Sequence, residues 1–120
     1  MVSAVRKAVE SLYNGLCDII EYRNSTDPVT KITAAQEVQV CTAQKCRLSF
    51  KSSPPIGESQ TADTVQQITK LFIAPEVEVK AGSKIVVTQN GVTKAYQRSG
   101  EPAIYETHQE IVLELFKGWA

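Results

Sequence analysis

The 120-residue chain has one histidine, one tryptophan and one methionine; aromatic residues make up 7% of it, and its charges cancel, 13 basic against 13 acidic. Each shortage excludes something. With no net charge there is no long-range pull toward polyanions, so sequence-independent nucleic-acid binding by the whole molecule is not expected. The basic pair Arg6-Lys7 is short and flanked by apolar residues, which reads as a solvated helix face instead of a phosphate site. No apolar run is long enough to span a bilayer, and the amino terminus lacks the apolar core of a secretory signal. The expectation is a protein with no membrane association, made and kept in a cytoplasm. Cys17, Cys41 and Cys46 are an odd number, against a full disulfide framework. Reduced thiols in that compartment are expected to act as small buried hydrophobes.

Chemistry is equally scarce. A zinc site needs about four ligands, and His108 alone cannot complete the set begun by Cys41 and Cys46. No serine sits in a nucleophile elbow, and a Cys–His pair requires a spatial arrangement that spacing does not provide. Gly82, Gly91 and Gly100 lie in separate turns and form neither a dinucleotide fingerprint nor a P-loop. The expectation is therefore no enzyme, no catalytic residues, no metal and no cofactor. Glu76, Glu78, Glu110 and Glu114 occur at strand spacing, as a solvated face or a charge row between subunits.

What is present is an ordinary globular composition, 42% hydrophobic and 22% charged, of a length that fits one domain, 1–120. Val2, Val5, Val9 and Leu12 recur at helical spacing and predict a short amphipathic helix over 2–13, ended by Gly15 in the left-handed conformation. Residues 17–22 are rich in β-formers, and turn chemistry follows at 24–28. Val38 and Val40 bracket Gln39 as in a half-buried strand. Cys46, Leu48 and Phe50 alternate with Arg47 and Ser49, which predicts a strand with one buried face.

The composition from 51 to 64, with Ser52, Ser53, Pro54, Pro55, Ile56, Gly57, Glu58, Ser59 and Gln60, predicts a long exposed polar loop. A helical or irregular lead into a short strand is expected before Ile73, and another short β segment at Val77-Glu78-Val79. Lys84 to Gln89 and Val92 to Tyr96 flank Asn90-Gly91, the pattern of a β-hairpin closed by a type I′ turn. The last strand, 110–116, is expected to turn Ile111, Leu113 and Leu115 inward. Trp119 has two readings of equal weight: it closes the chain's own core, or it anchors an adjoining subunit. Together these elements predict a mainly β protein, a small antiparallel β-barrel over 17–116 with a short amino-terminal α-helix and a long polar loop.

One further pattern is carried by Cys46-Arg47-Leu48-Ser49-Phe50, Lys70-Leu71-Phe72-Ile73-Ala74-Pro75, Gly82-Ser83-Lys84-Ile85, Ser99 to Tyr105, and His108 to Leu115. It resembles the tailed-phage minor capsid, or head-closure, family of connector and stopper proteins. That resemblance implies a structural subunit of the bacteriophage or prophage head-tail connector, assembling as a homo-oligomeric ring. Its implied partners are the portal or adaptor and the tail proteins of the same phage, with double-stranded DNA passing through the channel. It implies residence in the virion, at the head-tail interface, after synthesis in the bacterial host cytoplasm. Under it, Ser52 to Gln60 become the channel-facing loop, and Val2, Val5, Val9, Leu12 and Trp119 the surfaces offered to neighbours. The alternatives are a tail-terminator-like protein and a small β-barrel adaptor unrelated to phage.

Overall fold

Six strands, all paired antiparallel, close on one another in the computed structural model, which describes residues 4–53 and 66–119. They are β1 (Gly15–Thr26), β2 (Thr33–Ser53), β3 (Gln66–Ile73), β4 (Lys84–Gln89), β5 (Val92–Arg98) and β7 (Gln109–Leu115). The pairings run β1–β2–β3–β7–β5–β4 and back to β1, while the two-residue β6 (Ala103–Ile104) adds to β7. The chain is thus mainly β, as expected, with one helix, α1 (Ala4–Glu10), ahead of the strands. Closure leaves the ring itself without an unpaired edge.

The interior is filled by alternate residues: Cys17 and Ile19 from β1, Cys46 and Leu48 from β2, Leu71 and Ile73 from β3, Ile85 and Val87 from β4, Tyr96 from β5, Ile111 and Leu113 from β7. Period-two alternation puts these on one face of each strand. Six of them, Ile19, Cys46, Leu71, Ile73, Ile85 and Ile111, are wholly shielded from solvent, and the five aliphatic side chains among these each contribute roughly 2–3 kcal/mol of burial. The hairpin at Asn90-Gly91 forms as expected, with φ of 54° and 76° at the two turn residues and Gln89 paired with Val92.

Several elements differ from the sequence expectations, each for an identifiable reason. The helix is shorter than 2–13 and none of its described residues is buried, because it lies outside the ring. Gly15 does not end it in a left-handed conformation; it opens β1, where an added Cβ would stand 3.0 Å from Gln89 Oε1 and 3.2 Å from the Cys46 carbonyl oxygen. Lys51, Ser52 and Ser53 are strand and not loop, since their backbone pairs with Ile68, Gln67 and Gln66. The same pairing carries the expected short strand ending at Ile73 back to Gln66, where a helical or irregular lead was expected.

Val77 to Val79 form no strand. Their carbonyls bind side chains instead of a neighbouring backbone: Gln109 Nε2 donates to Ala74 O at 2.8 Å and to Val77 O, and Arg98 donates to Val79 O at 2.7 Å. Leu115 does not point into the core and is 61% exposed, because the β3 partner of β7 stops at Leu113. Phe50 is 54% exposed for a like reason, as β1 flanks β2 only up to Cys46.

Candidate functional site

The most prominent surface feature is one that periodicity does not reveal. β1 and β2 run on past the ring as a two-stranded ribbon: β4 follows β1 only to Ile20, yet β1 and β2 stay paired from Tyr22↔Glu37 out to Thr26↔Thr33. At about 3.3 Å per residue the strand reaches roughly 20 Å beyond Ile20. Arg23, Asn24 and Thr26 face Gln36, Ala35 and Thr33, so the ribbon is built of small and polar residues with no alternating apolar signature. The expected turn at 24–28 instead lies at 27–32, because Asn24, Ser25 and Thr26 are in the ladder.

Where the ribbon leaves the ring, β2 carries extra residues. The register steps from Cys17↔Gln44 to Ile19↔Cys41 and then to Ile20↔Gln39. Ala43 has φ of 52°, and its amide donates to Asp18 Oδ1 at 2.8 Å. Such bulges bend a strand and increase its local twist, redirecting the ribbon at its root.

The far end of the ribbon is tightly tied. Asp27 Oδ1 accepts from the amides of Val29 (2.7 Å) and Thr30 (3.2 Å), and the Asp27 amide donates to the Ile32 carbonyl at 3.0 Å. The Lys31 amide donates to Asp27 O at 2.8 Å, with Lys31 at φ of 59°. Thr26 and Thr33 join hydroxyls beneath the turn at 2.8 Å. This ordered tip nonetheless holds Val29 and Ile32 out to solvent, 87% and 65% exposed.

The near end is held by the carboxyl-terminal segment. Trp119 stacks on Tyr22 and meets Phe116 edge-on at 4.8 Å, while its indole N–H donates to Glu37 Oε2 at 3.0 Å. Lys84 Nζ lies 3.3 Å from the same carboxylate and 5.4 Å from the centre of the Phe116 ring. The indole and ammonium donors hold the Glu37 carboxyl below its ordinary range. Trp119 thus packs on Tyr22 and Phe116 at the root of the ribbon, half-buried and outside the core cluster.

A second opening lies at the other end of β4. A hollow of about 250 Å³ is lined by Leu48, Phe50, Val87, Gln89, Asn90, Val92, Lys94 and Tyr96. It exists because β1 no longer lies between β2 and the β4–β5 hairpin beyond Cys46. Among the described residues, the Gln89 side chain bridges the gap, accepting from Leu48 N at 2.8 Å and donating to Leu48 O at 3.2 Å.

The remaining predicted positions are dispersed. Val5 and Leu12 are exposed, and Val9 is half-buried. Val9 and Leu12 line a shallow apolar hollow with Tyr13, Arg47, Phe72 and His108. Arg6 anchors the helix through Glu10 and Glu76, and Glu76 lies in the turn after β3, off any strand. Val2 and residues 54–64 of the expected loop lie outside the described residues. His108 Nε2 is 3.0 Å from Glu110 and Nδ1 3.1 Å from Thr107, with Tyr105 stacked on its ring.

Cys17 and Cys46 are buried in the core, and Cys41 is half-buried. A hydrogen bond to Cys46 and burial push the Cys17 thiol up, and burial does the same to Cys41. Among the described residues, no group of three or more histidine, cysteine or acidic side chains is placed to hold a metal ion. No described helix is long and apolar enough to cross a membrane.

No family model matches the chain, and no curated protein matches it. Among solved structures, it is similar to protein xkdH of the phage-like element PBSX of Bacillus subtilis. The identity is 13% with a TM-score of 0.49, over 83% of this chain and 91% of that one.

Proposed function

We propose that the chain is a structural, non-catalytic subunit of a bacteriophage or prophage head-tail connector, assembling as a ring below the portal or adaptor, closing the DNA-filled head and joining the tail. The observation that carries this reading is the ribbon. A hairpin of two strands is marginal in water when nothing packs on it, and here the outer half has only itself as a partner among the described residues. A closed ring of strands with an arm of this kind has the form of a subunit completed by neighbours. The resemblance of 46–50, 70–75, 82–85 and 99–115 to head-closure proteins supplies the tier. On this reading residues 54–60, following the end of β2, face the channel through which double-stranded DNA passes.

The test uses particles assembled without this protein. Filled heads that leak DNA or fail to join tails are expected. Normal heads bearing defective tail ends would instead support the tail-terminator reading, and fully normal particles would overturn both. Removing residues 54–60 should leave folding intact and impair DNA retention; full retention would refute the channel role of that segment.

A further inference from the structure

The ribbon tip and the hollow beside Tyr96 are complementary surfaces that one chain cannot bring together. The ribbon leaves from the Lys84 end of β4 and points away, while the hollow lies at the Gln89 end. Val29 and Ile32 are aliphatic and exposed, on a turn already fixed by the Asp27 hydrogen bonds, so little ordering cost remains when they are buried. The hollow is smaller than a ligand pocket of roughly 300–1,000 Å³ and is walled by Leu48, Phe50, Val87, Val92 and Tyr96. It suits one or two aliphatic side chains. Charge offers one opposite-sign pairing: among the described residues Lys94 is the charged residue lining the hollow, and of the two charged residues in the 27–32 turn, Asp27 and Lys31, Asp27 lines the depression beneath the tip.

We propose that the ribbon tip of one copy of this chain seats in the hollow of a second copy, with Val29 and Ile32 against Phe50, Val92 and Tyr96, and Asp27 facing Lys94. Because tip and hollow are different surfaces, the contact is heterologous. It propagates head to tail and closes into a ring where the rotation allows. The inference rests on the subunit reading above and names its partner and contact residues.

The experiment is sedimentation equilibrium of the full chain over a concentration series. The wild-type chain should associate beyond a dimer. A tip variant carrying Val29→Asp and Ile32→Asp should associate at least about tenfold more weakly, since it loses two buried aliphatic groups. A hollow variant, Val92→Asp, should do the same; Lys94→Glu replaces it if melting reports that Val92→Asp unfolds the hairpin. The decisive sample is an equimolar mixture of tip and hollow variants. It retains one good tip and one good hollow, so it should give a heterodimer and nothing larger.

A wild-type chain that stays monomeric throughout, a tip variant that associates like wild type, or a mixture that recovers no dimer would each overturn the contact. These measurements use purified protein alone. Their failure removes this contact and leaves the particle assay standing, whereas normal particles without the protein would remove the connector reading and leave the contact intact.

Discussion

The rings of Tyr22 and Trp119 lie 4.9 Å apart between centroids and 13° from parallel, joining the root of the ribbon to the carboxyl-terminal segment. Stacked aromatic pairs contribute about 0.5–1.5 kcal/mol beyond the area they bury. Trp119→Ala should therefore loosen the ribbon more than the ring. Amide exchange at 20–26 and 33–39 is expected to accelerate by about tenfold, while the amides of Ile85, Leu71 and Ile111 keep their protection. Equal acceleration in both places would show that the tail supports the whole fold and not the ribbon.

Acid should act on the same clasp. Glu37 accepts from the Trp119 indole and from Lys84, and its pKa lies below the ordinary 4.5. A depressed carboxyl stabilises the fold above its unfolded value and loses that contribution as the pH falls through the folded value. The clasp should thus persist to a pH below 4.5 and then open. Trp119 is the single tryptophan, so its fluorescence reports the event directly. In Glu37→Gln that step should vanish from the acid titration; an unchanged step would assign it to another carboxyl, such as Glu110, which His108 and Lys70 hold down in the same way.

Gln109 is buried and its side-chain amide satisfies the carbonyls of Ala74 and Val77. Replacing it with leucine keeps much of the volume but leaves both acceptors without that donor. Ala74 O keeps the Val77 amide at 3.2 Å, so the Val77 carbonyl is the group left without a donor, at a cost of about 1–3 kcal/mol. Gln109→Leu should lower thermal stability accordingly and expose the segment 74–80 to proteolysis before the rest of the chain. Retention of wild-type melting would mean that water replaces the amide there.

At Gly91, an added Cβ would meet nothing within 4 Å, so the space is open and only the backbone conformation opposes a side chain. With φ at 76°, Gly91→Val should cost about 1–2 kcal/mol, whereas Gly91→Asn, which tolerates that region, should cost much less. Equal melting of the two variants would count against the left-handed turn.

These contrasts mark what the sequence discloses. The Asn90-Gly91 hairpin was legible because both residues are suited to the same unusual backbone region, and Ile111 and Leu113 because alternation persists where neighbours lie on both sides. The ribbon was not legible, since Asn24, Ser25, Thr26, Ala34 and Ala35 bury no apolar face and thus leave no period. Val77 and Val79 look like strand residues, but Gln109 and Arg98, distant in sequence, take up the carbonyls a strand would use. Phe50 and Leu115 keep the correct phase and are nevertheless exposed, because each lies beyond the last residue of a partner strand. The hollow beside Tyr96 comes from that same mismatch of strand lengths, which composition does not encode.

The register shifts at the root of the ribbon have an evolutionary consequence. Beyond them, no residue of β1 or β2 takes part in the interior packing, so residues can be added or lost in facing pairs without disturbing it. Each pair would change the arm by about 3.3 Å. Reach is therefore a dimension on which selection can act in small steps while the interior packing stays the same.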